Sequence, residues 1–281
     1  MQNILKQEEE REFSFSDREF NFLAGTVSKR TGIQLTDSKR DMVYSRLVRR
    51  LRALKLQSFA EYCELVQSEA GVDEIGNLVN ALTTNLTSFF REGHHFEHLR
   101  EKILLPLAAS APNPKKLRIW SAGCSAGMEP YSIAMTIKSA LKNLSKWDAK
   151  ILATDIDTNM LATGKAGEYN VEQFSNIPPV YQSDVSSLEN DKIIMSDELR
   201  EMIAFKQLNL LEKWPMSGPF DVVFCRNVVI YFDKETQRVL FNRMADLIKP
   251  NGWLYIVHSE NLHKVCDRFE PLGHTIYRKI S

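Results

Sequence analysis

The sequence lacks several features that mark particular classes of protein. Its four cysteines, Cys63, Cys124, Cys225 and Cys266, lie far apart, with no Cys-x-x-Cys pair and no His/Cys cluster. A disulfide framework and a zinc site are therefore not expected. No apolar run approaches the roughly 18–20 residues that a membrane helix needs. The acidic, polar start, MQNILKQEEEREF, does not match a signal peptide, and we expect a cytoplasmic protein.

The sequence also has no excess of charge of either sign. It contains 36 Lys and Arg against 36 Asp and Glu, a formal net charge of zero. General nucleic-acid binders carry a basic excess, so this balance argues against that class and confines any basic surface to a local patch. The 281 residues, 43% hydrophobic and 26% charged, are typical of a soluble globular protein with one large domain or two ordinary ones.

The first part of the chain has only helical patterns. Ser16 and Glu19 have the spacing of a capping box, and an apolar stripe that begins at Phe20 ends before Gly32. Further helical patterns follow in TDSKRDMVYSRLVRRLRALKL, SFAEYCELVQSE and VDEIGNLVNALTTN. We predict an all-helical N-terminal domain over residues 1–88 and a helical linker over residues 89–115.

From residue 116 onward, short apolar runs alternate with helical patterns. The runs are KLRIW, AKILATD, MIAFKQLNL, PFDVVFCRN and GWLYIVHSE, and helical patterns cover 130–145, 157–166 and 234–248. This alternation predicts an α/β domain with a doubly wound, mainly parallel sheet over residues 116–281. Residues 168–200 are too long for a simple connection and contain short β-like pieces, so we predict a small inserted β-subdomain there.

The stretch WSAGCSAGMEPYS follows the first predicted strand. Its glycines, Gly123 and Gly127, fit neither G-x-G-x-x-G nor a Walker A loop, and the stretch contains no Lys or Arg to bind a polyphosphate. Glycine lets a backbone approach a ligand closely, and Pro130 suits the first turn of a helix, whose N-terminus attracts an anion. We expect a single carboxylate there, although the loop alone is equally compatible with a plain strand–helix turn.

Polar residues also follow the next two predicted strands. Asp155 ends the second strand, where an acidic residue commonly binds ribose hydroxyls, and Asp157 is placed to cap the following helix. Asn209 and Leu210 follow the third apolar run, where they could flank an adenine. Together, the three strand ends indicate a nucleoside that carries a carboxylate and little phosphate. S-adenosylmethionine fits this description better than a dinucleotide does.

The motifs TTNLTSFFRE, WSAGCSAGMEPYSIAM, ATDID, NLLEKWP, FDVVFCRNVVIYFD and HSEN occur in this order. From about residue 14 to its end, the chain resembles the CheR-type chemoreceptor methyltransferases of bacterial chemotaxis. Such enzymes use S-adenosylmethionine to esterify glutamate side chains on the cytoplasmic helices of receptors. The resemblance implies a helical N-terminal domain and a Rossmann-like α/β methyltransferase domain with a small β-insert.

The resemblance also implies functional residues. Together with Gly123 of the loop, the residues implied to bind the cofactor are Asn85, Thr87, Arg91, Glu129, Asp155, Asn209, Leu210, Arg226 and Asn227. Arg91 and Tyr231 are implied to be the catalytic pair. The family commonly has Thr-Gly-Glu-Glu-Pro where this chain has Ala-Gly-Met-Glu-Pro over residues 126–130. The second Glu is kept as Glu129, which we expect to accept a hydrogen bond from the ammonium of the cofactor or from a neighbouring donor.

A basic stretch, KRDMVYSRLVRRLRALK, is a candidate docking surface. At 100° per residue, Lys39, Arg46, Arg49 and Arg50 share one face, and an opposite face carries Tyr44, Leu47, Val48, Leu51 and Leu54. The pattern alone predicts a solvated basic face. Because receptor methylation regions are acidic helices, the resemblance favours docking. Arg46 and Arg52 match family positions implicated in receptor contact, so the expected docking residues are Arg46, Arg49, Arg50 and Arg52.

Two other classes of function remain alternatives. NIPPVY, residues 176–181, superficially resembles the Asn-Pro-Pro-Tyr motif of nucleic-acid methyltransferases, but Ile177 and Val180 break its spacing. A non-catalytic docking module is the second alternative, because residues 126–128 depart from the family pattern. The resemblance also implies the partners of the protein. We expect it to bind chemoreceptor cytoplasmic domains, no nucleic acid and no metal, and to meet the membrane only through the receptors.

Some family members also bind a receptor's C-terminal pentapeptide through the β-insert. The pattern of residues 168–200 does not decide whether this chain does so. We expect a monomer.

Overall fold

A computed structural model of the chain describes residues 11–110, 115–187, 191–257, 262 and 264–280. The chain divides into two compact units, Met1–Thr84 and Asn85–Ser281. Among the described residues, no helix is long and apolar enough to cross a membrane. The HSEN motif, residues 258–261, lies outside the described residues.

The first unit is helical. Its α-helices are α1 (Asp17–Thr31), α2 (Arg40–Leu54), α3 (Phe59–Gln67) and α4 (Val72–Leu82), with short 3₁₀ segments at Asp37–Lys39 and Glu69–Gly71. The capping box of α1 is confirmed: the Ser16 hydroxyl accepts from the Glu19 N–H at 3.3 Å, and the Ser16 N–H donates to the Glu19 carboxylate at 2.7 Å. Apolar side chains at helical spacing, among them Leu23, Leu47 and Leu78, are fully buried and form its core.

The second unit begins with helical segments and continues into alternating strands and helices. Its first helices are α5 (His94–His98) and α6 (Leu105–Ser110), joined by the π-helical segment Leu99–Leu104. The later ones are α7 (Met128–Ala140), α8 (Thr158–Ala166), α9 (Asp197–Met202) and α10 (Lys234–Leu247).

The main sheet has the strand order β6-β2-β1-β7-β8-β10-β9. These strands are β1 (Lys115–Ala122), β2 (Trp147–Asp155), β6 (Ile203–Gln207), β7 (Phe220–Phe224), β8 (Ile248–Tyr255), β9 (Phe269–Pro271) and β10 (Ile276–Lys279). From β6 to β8 every pairing is parallel, whereas β10 runs antiparallel to β8 and β9. The predicted doubly wound, mainly parallel sheet is therefore confirmed.

Both faces of this sheet are buried, as is typical of parallel sheets. Ile119 and Val222 belong to the core on the side of α7, whereas Trp120 and Val223 belong to the core on the side of α10. Neighbouring residues therefore serve opposite faces, which explains the short unbroken apolar runs in the sequence. The chain adds β2 and β6 on one side of β1 but β7 and β8 on the other. This reversal opens a crevice at the carboxyl ends of β1 and β7, where such folds bind ligands.

A small antiparallel sheet is inserted between α8 and α9. Its strands, in the order β3-β5-β4, are β3 (Glu168–Asn170), β4 (Val185–Ser187) and β5 (Lys192–Met195). The NIPPVY stretch lies within this insert, between β3 and β4. Its Ile177 and Tyr181 are buried, and the Tyr181 ring stacks on Phe90 with 4.8 Å between centroids. Two side chains of this stretch therefore pack in the core, whereas Val180 is exposed, and its resemblance to a catalytic motif stays superficial.

Candidate functional site

The loop after β1 is a tight turn held against β2. The N–H groups of Gly123 and Cys124 both donate to the Thr154 carbonyl, at 2.8 and 2.9 Å. Gly123, Ser125 and Gly127 all have positive φ values, of 80°, 48° and 86°. The non-glycine residue among them, Ser125, is therefore in a conformation that costs energy. Such backbone is common at functional sites.

The two glycines of this loop are explained by packing within the protein. A Cβ on Gly123 would meet Val228 Cγ2 at 2.2 Å, and a Cβ on Gly127 would meet the Gly164 Cα at 2.8 Å. Each glycine is therefore needed because another part of the chain lies against it, a reason that the sequence did not reveal. The approach of this backbone to a ligand stays a prediction.

Burial accounts for the unusual residues at 126 and 128. The Ala126 and Met128 side chains lie in the core on the side of α7, and Met128 is only 8% exposed. A carboxylate buried at this position without a partner would be costly, whereas a flexible apolar side chain fills the space. Met128, a departure that the family motif leaves unexplained, is thus a packing residue.

A buried ion cluster connects α7 with the end of β7. Glu129 accepts from the Ser121 hydroxyl at 2.7 Å through Oε1 and from Arg226 Nη1 at 3.0 Å through Oε2. Arg226, 5% exposed, also donates through Nη2 to the Arg91 carbonyl and to Glu92 Oε2, the latter at 3.2 Å. Burial raises the pKa of the Glu129 carboxyl, against the lowering effect of Arg226 and Ser121. The guanidinium thus faces two carboxylates.

Asp155 forms a second acidic centre at the end of β2 and is 9% exposed. One of its oxygens accepts from the Ser125 N–H at 2.7 Å, and the other accepts from the Asp157 N–H at 2.9 Å. Burial raises the pKa of Asp155, and these N–H groups oppose the rise. Asp157 caps α8 by accepting from the Asn159 and Met160 N–H groups, so the predicted cap is confirmed.

The segment 85–92 runs across these strand ends. Asn85 Nδ2 donates to Asp157 Oδ2 at 2.7 Å, and the Ser125 hydroxyl donates to the Asn85 carbonyl at 3.2 Å. The Phe90 N–H donates to the Ser132 hydroxyl of α7 at 3.0 Å. Together with the Arg91 carbonyl, these contacts hold the segment at the ends of β1, β2 and β7.

Hydrogen bonds among the segment 85–92, the loop after β1 and the ends of β2 and β7 thus bring six predicted site residues together. They are Asn85, Arg91, Gly123, Glu129, Asp155 and Arg226. Asn209 and Leu210 follow β6, whose continuation is tied to β2 by the Leu208 N–H donating to the Asp155 carbonyl at 2.9 Å. Asn227, with φ 60°, and Tyr231, in the 3₁₀ turn Val229–Tyr231, follow β7. Within the part of the chain that the structure describes, hydrogen bonds do not join the side chains of Thr87, Asn227 and Tyr231 to this network.

Sequence reasoning missed three members of the network. Ser121 is a fully buried hydroxyl in an otherwise apolar strand end, and that contrast was its signal. Glu92 stands next to Arg91 within the quoted motif TTNLTSFFRE. The role of Ser125 depends on its main-chain N–H, so no side-chain pattern could have revealed it.

The basic face of α2, in the first unit, is narrower than the helical pattern predicted. Arg49 and Arg52 are exposed, and Arg52 pairs with Glu12. Arg46 instead donates to the Thr83 carbonyl at 2.5 Å, beyond the end of α4, and Arg50 Nε donates to the buried Glu74 at 2.6 Å. Arg46 and Arg50 are therefore tied to the fold of their own unit, which corrects the expectation of a fully solvated face.

The donors and acceptors at the strand ends fit the predicted cofactor. Each oxygen of Asp155 and Glu129 has a protein donor, and a carboxylate oxygen has room for a further one, such as a ribose hydroxyl or an ammonium. Arg226 Nε is buried and has no hydrogen-bond partner among the described residues, so one cationic donor is unused. The loop at 123–127 carries no Lys or Arg for phosphates. No group of three or more described His, Cys, Asp or Glu residues could hold a metal ion.

Comparisons with known proteins show the family to which the chain is related. The family model described as "CheR methyltransferase, SAM binding domain" matches residues 85–278, and "CheR methyltransferase, all-alpha domain" matches residues 18–83. A probable chemotaxis protein methyltransferase of Rhizobium etli is 45% identical over 252 residues, which cover 88% of this chain and 94% of the relative. Chemotaxis protein methyltransferase 2 of Pseudomonas aeruginosa is 42% identical, covering 95% and 94% of the two chains. The chemotaxis protein methyltransferase of Escherichia coli is 41% identical, covering 98% and 95%.

These matches confirm the resemblance drawn from the motifs, and they confirm S-adenosylmethionine as the cofactor. The all-alpha match falls in the first unit and the cofactor-domain match in the second. The chain therefore belongs to the CheR methyltransferase family and is an S-adenosylmethionine-dependent enzyme.

Proposed function

We propose that this enzyme transfers the methyl group of S-adenosylmethionine to glutamate carboxylates of chemoreceptor cytoplasmic domains, for chemotactic adaptation. The products are glutamate methyl esters and S-adenosylhomocysteine. The observation that carries the proposal is the buried Glu129–Arg226 pair at the switch point of the sheet, in a chain whose relatives are named chemotaxis protein methyltransferases. Methyl transfer from labelled cofactor to receptor cytoplasmic fragments tests it.

The strand ends supply the proposed cofactor site. Asp155 would bind the ribose hydroxyls, and Asn209 and Leu210 would flank the adenine. The remaining proposed cofactor-binding residues are Asn85, Thr87, Arg91, Gly123, Glu129, Arg226 and Asn227. When bound, S-adenosylmethionine supplies a methyl group that its sulfonium has already activated.

The residues of the chain then have to position the substrate. A glutamate carboxyl, with an ordinary pKa of about 4.3, is ionised near neutral pH and needs no general base. Alignment of reacting groups can contribute on the order of 7–11 kcal/mol to lowering a barrier. In our proposal, the Arg91 guanidinium binds a carboxylate at the site, and the Tyr231 phenol donates a hydrogen bond that orients the incoming oxygen.

We expect Arg91→Ala and Tyr231→Phe each to lower kcat/KM for receptor methylation by about tenfold to a hundredfold. A hydrogen bond to a charged group is worth about 1.5–3 kcal/mol, which corresponds to this range. Steady-state kinetics on receptor cytoplasmic fragments measure the effect, and unchanged thermal unfolding shows that the variants fold. Near-normal kcat/KM in both variants would contradict the catalytic assignment.

The basic face of α2, with Arg46, Arg49, Arg50 and Arg52, is the proposed receptor-docking surface. Its exposed residues, Arg49 and Arg52, are the better positions for a test, because their substitution should disturb the fold least. We expect Arg49→Glu to lower kcat/KM by about fivefold at low salt through a higher KM for the receptor, because it repels an acidic partner. Added salt should reduce wild-type methylation and shrink this difference, because it screens exposed charges. Kinetics from about 0.05 to 0.5 M NaCl measure both effects.

Two variants serve as controls for docking. Lys29→Glu makes the same change of charge at an exposed position of α1 and should behave as wild type. Arg46→Glu should lower methylation and also lower the free energy of unfolding by about 1–2 kcal/mol, because it removes a donor from the Thr83 carbonyl beyond the end of α4. Salt-insensitive methylation, or equal effects of Arg49→Glu and Lys29→Glu, would argue against docking through α2.

The oligomeric state and the binding of a receptor peptide are proposals as well. We propose that the protein acts as a cytoplasmic monomer and that the small sheet is where a receptor's C-terminal pentapeptide would bind. Its edge strands, β3 and β4, offer backbone groups to an added strand. A binding titration with such a peptide and light scattering of the purified protein test these two points.

The alternative of a non-catalytic docking module depended on the departures at 126 and 128. Because Ala126 and Met128 are buried in the core, these departures are explained by packing and give no reason to doubt turnover. The methyl-transfer assay on receptor fragments separates the two functions directly.

A further inference from the structure

Two consecutive phenylalanines precede Arg91, and each contacts a tyrosine of the inserted subdomain. The Phe90 ring stacks on the Tyr181 ring, with 4.8 Å between centroids and 8° between planes. The Phe89 ring meets the Tyr169 ring edge-on, at 5.1 Å and 83°. Tyr169 is 5% exposed and Tyr181 is 9% exposed. The insert thus forms a wall along the segment that carries Arg91.

The backbone on both sides of Arg91 is strained. Phe90 has a φ of 50° and Glu92 has a φ of 56°, in a region that residues with a side chain rarely occupy. Such conformations persist only where the surrounding contacts impose them, and they are common at functional sites. The position of the Arg91 side chain therefore depends on what holds its two neighbours.

Contacts from two directions impose this conformation. On the side of the main sheet, the Phe90 N–H donates to the Ser132 hydroxyl at 3.0 Å, and the Arg91 carbonyl accepts from the guanidinium that follows β7. These bonds hold main-chain groups. The Phe90 side chain packs instead against Phe96, with 5.1 Å between centroids, and against Tyr181. Loss of the Tyr181 ring would therefore free one side of Phe90 and let its backbone relax towards an ordinary φ.

The two tyrosines are themselves fixed in the fold. The Tyr169 hydroxyl donates to the Ala126 carbonyl, in the loop after β1, at 2.7 Å. Tyr181 lies in the 3₁₀ segment Pro179–Asp184. The carboxylate of the last residue of this segment forms an ion pair with Lys138 of α7, with 2.6 Å between Oδ1 and Nζ. The wall therefore has a set position relative to α7 and to the loop of the proposed cofactor site.

We propose that Tyr181 is a positioning residue for methyl transfer, which holds Phe90 and thereby keeps the Arg91 guanidinium in its reactive place. This inference rests on the proposed role of Arg91. It gives the inserted subdomain a task besides the binding of a receptor peptide, because the insert then supports the active site directly. It also gives a function to the last residue of NIPPVY, a stretch whose resemblance to a catalytic motif is superficial.

The test is the methylation of receptor cytoplasmic fragments by the whole protein, with both substrates saturating. Tyr181→Leu keeps an apolar side chain but removes the ring that stacks on Phe90. We expect kcat to fall by about threefold to tenfold, because the contact of two aromatic rings contributes a factor of this order beyond burial of their area.

A double-mutant cycle shows whether Tyr181 acts through Arg91. In an Arg91→Ala background, Tyr181→Leu should lower kcat no further, because the guanidinium that it positions is already gone. A residue that serves only the fold would lower kcat by the same factor in both backgrounds. Phe90→Leu breaks the same stack from the other ring and should repeat both results, so it decides the question should Tyr181→Leu fail to fold.

Two variants serve as controls. Tyr181→Phe keeps the ring and should retain kcat within about twofold of the wild-type value. Phe174→Leu makes a similar change in the preceding 3₁₀ segment of the insert, Val171–Asn176, where the ring is partly buried against the core, and it should leave kcat unchanged.

Wild-type kcat in both Tyr181→Leu and Phe90→Leu, or an equal loss with and without Arg91, would overturn this inference and leave the proposed function intact. A normal kcat in Arg91→Ala would remove the residue that Tyr181 positions, and the inference would fall with that assignment. If the wild type transfers no methyl group to receptor fragments, the proposed function itself fails.

Discussion

Arg226→Met is expected to lower the free energy of unfolding by about 3–5 kcal/mol and to abolish measurable binding of S-adenosylmethionine. Methionine has a similar length but no charge, so the substitution leaves Glu129 and Glu92 mostly buried and facing one another without a counter-charge. Removing one member of a buried ion pair typically costs this much, because the remaining charge has lost both water and its partner. The Arg91 carbonyl would lose a donor as well.

The loss of stability should depend on pH in a defined direction. Burial already raises the pKa of Glu129 above its ordinary value, and Arg226 opposes that rise. Without Arg226 the folded-state pKa should rise further. A group whose pKa is higher in the folded than in the unfolded state favours folding below its unfolded pKa, and that contribution is lost as the pH rises through the folded pKa. The deficit of Arg226→Met should therefore be smaller near pH 5 than near pH 7.

Denaturant unfolding at both pH values measures the effect, with two controls. Arg238→Met removes an exposed arginine of α10, whose ion pair with Glu235 spans 3.9 Å, and should change stability by less than about 0.5 kcal/mol. The double variant Arg226→Met/Glu129→Gln removes one of the stranded charges and should be more stable than Arg226→Met alone. A loss in free energy of unfolding below about 1 kcal/mol for Arg226→Met, or a loss that grows on acidification, would contradict a stabilising role of the buried ion pair.

Part of this site could be predicted from the sequence because it lies at strand ends. Short apolar runs followed by Asp155 and by Asn209 and Leu210 mark the carboxyl edge of a parallel sheet, and a sheet brings such edges together. Glu129 and Arg226 were implied by family motifs. Their side chains form an ion pair although they are 97 residues apart in the sequence. Such a tertiary contact cannot be predicted from a local sequence pattern.

The other contacts of the site and of α2 could not be predicted from the sequence, because they depend on backbone conformation and on residues of neighbouring elements. Glu92 reaches Arg226 from a backbone with positive φ, a conformation that the letters of a sequence do not predict. The helical pattern of α2 placed Arg46 and Arg50 on a basic face correctly as geometry. It could not show that Arg46 donates to the Thr83 carbonyl beyond α4, or that Arg50 donates to the buried Glu74 carboxylate.

The same limit applies to Gly123. Its place in a strand–helix loop predicts contact with a ligand, and it could not reveal that a Cβ added at Gly123 would meet Val228, after β7. The loop at the end of β1 and the turn at the end of β7 are therefore packed directly on each other. Substitution of Gly123 measures how much of the site depends on that contact.

Gly123→Ala is expected to lower the free energy of unfolding by about 2–5 kcal/mol. A non-glycine residue at φ 80° costs roughly 1–2 kcal/mol, and the new Cβ, 2.2 Å from Val228 Cγ2, adds the roughly 1–3 kcal/mol of an overpacked site. Because the same loop presents the Ser125 N–H to Asp155, its displacement should also weaken cofactor binding measured by calorimetry.

Gly273→Ala separates the two causes of this loss. Gly273 has a φ of 87°, yet a Cβ there would meet no atom within 4 Å, so its alanine variant carries the backbone strain without the collision. We expect Gly273→Ala to lose only about 1–2 kcal/mol and to bind the cofactor normally. Gly123→Ala/Val228→Ala should recover part of the stability and affinity lost in Gly123→Ala, because the truncated side chain makes room for the new Cβ. Equal losses in the two glycine variants, with no recovery in the double variant, would show that the positive φ alone requires a glycine at position 123 and that its contact with Val228 does not.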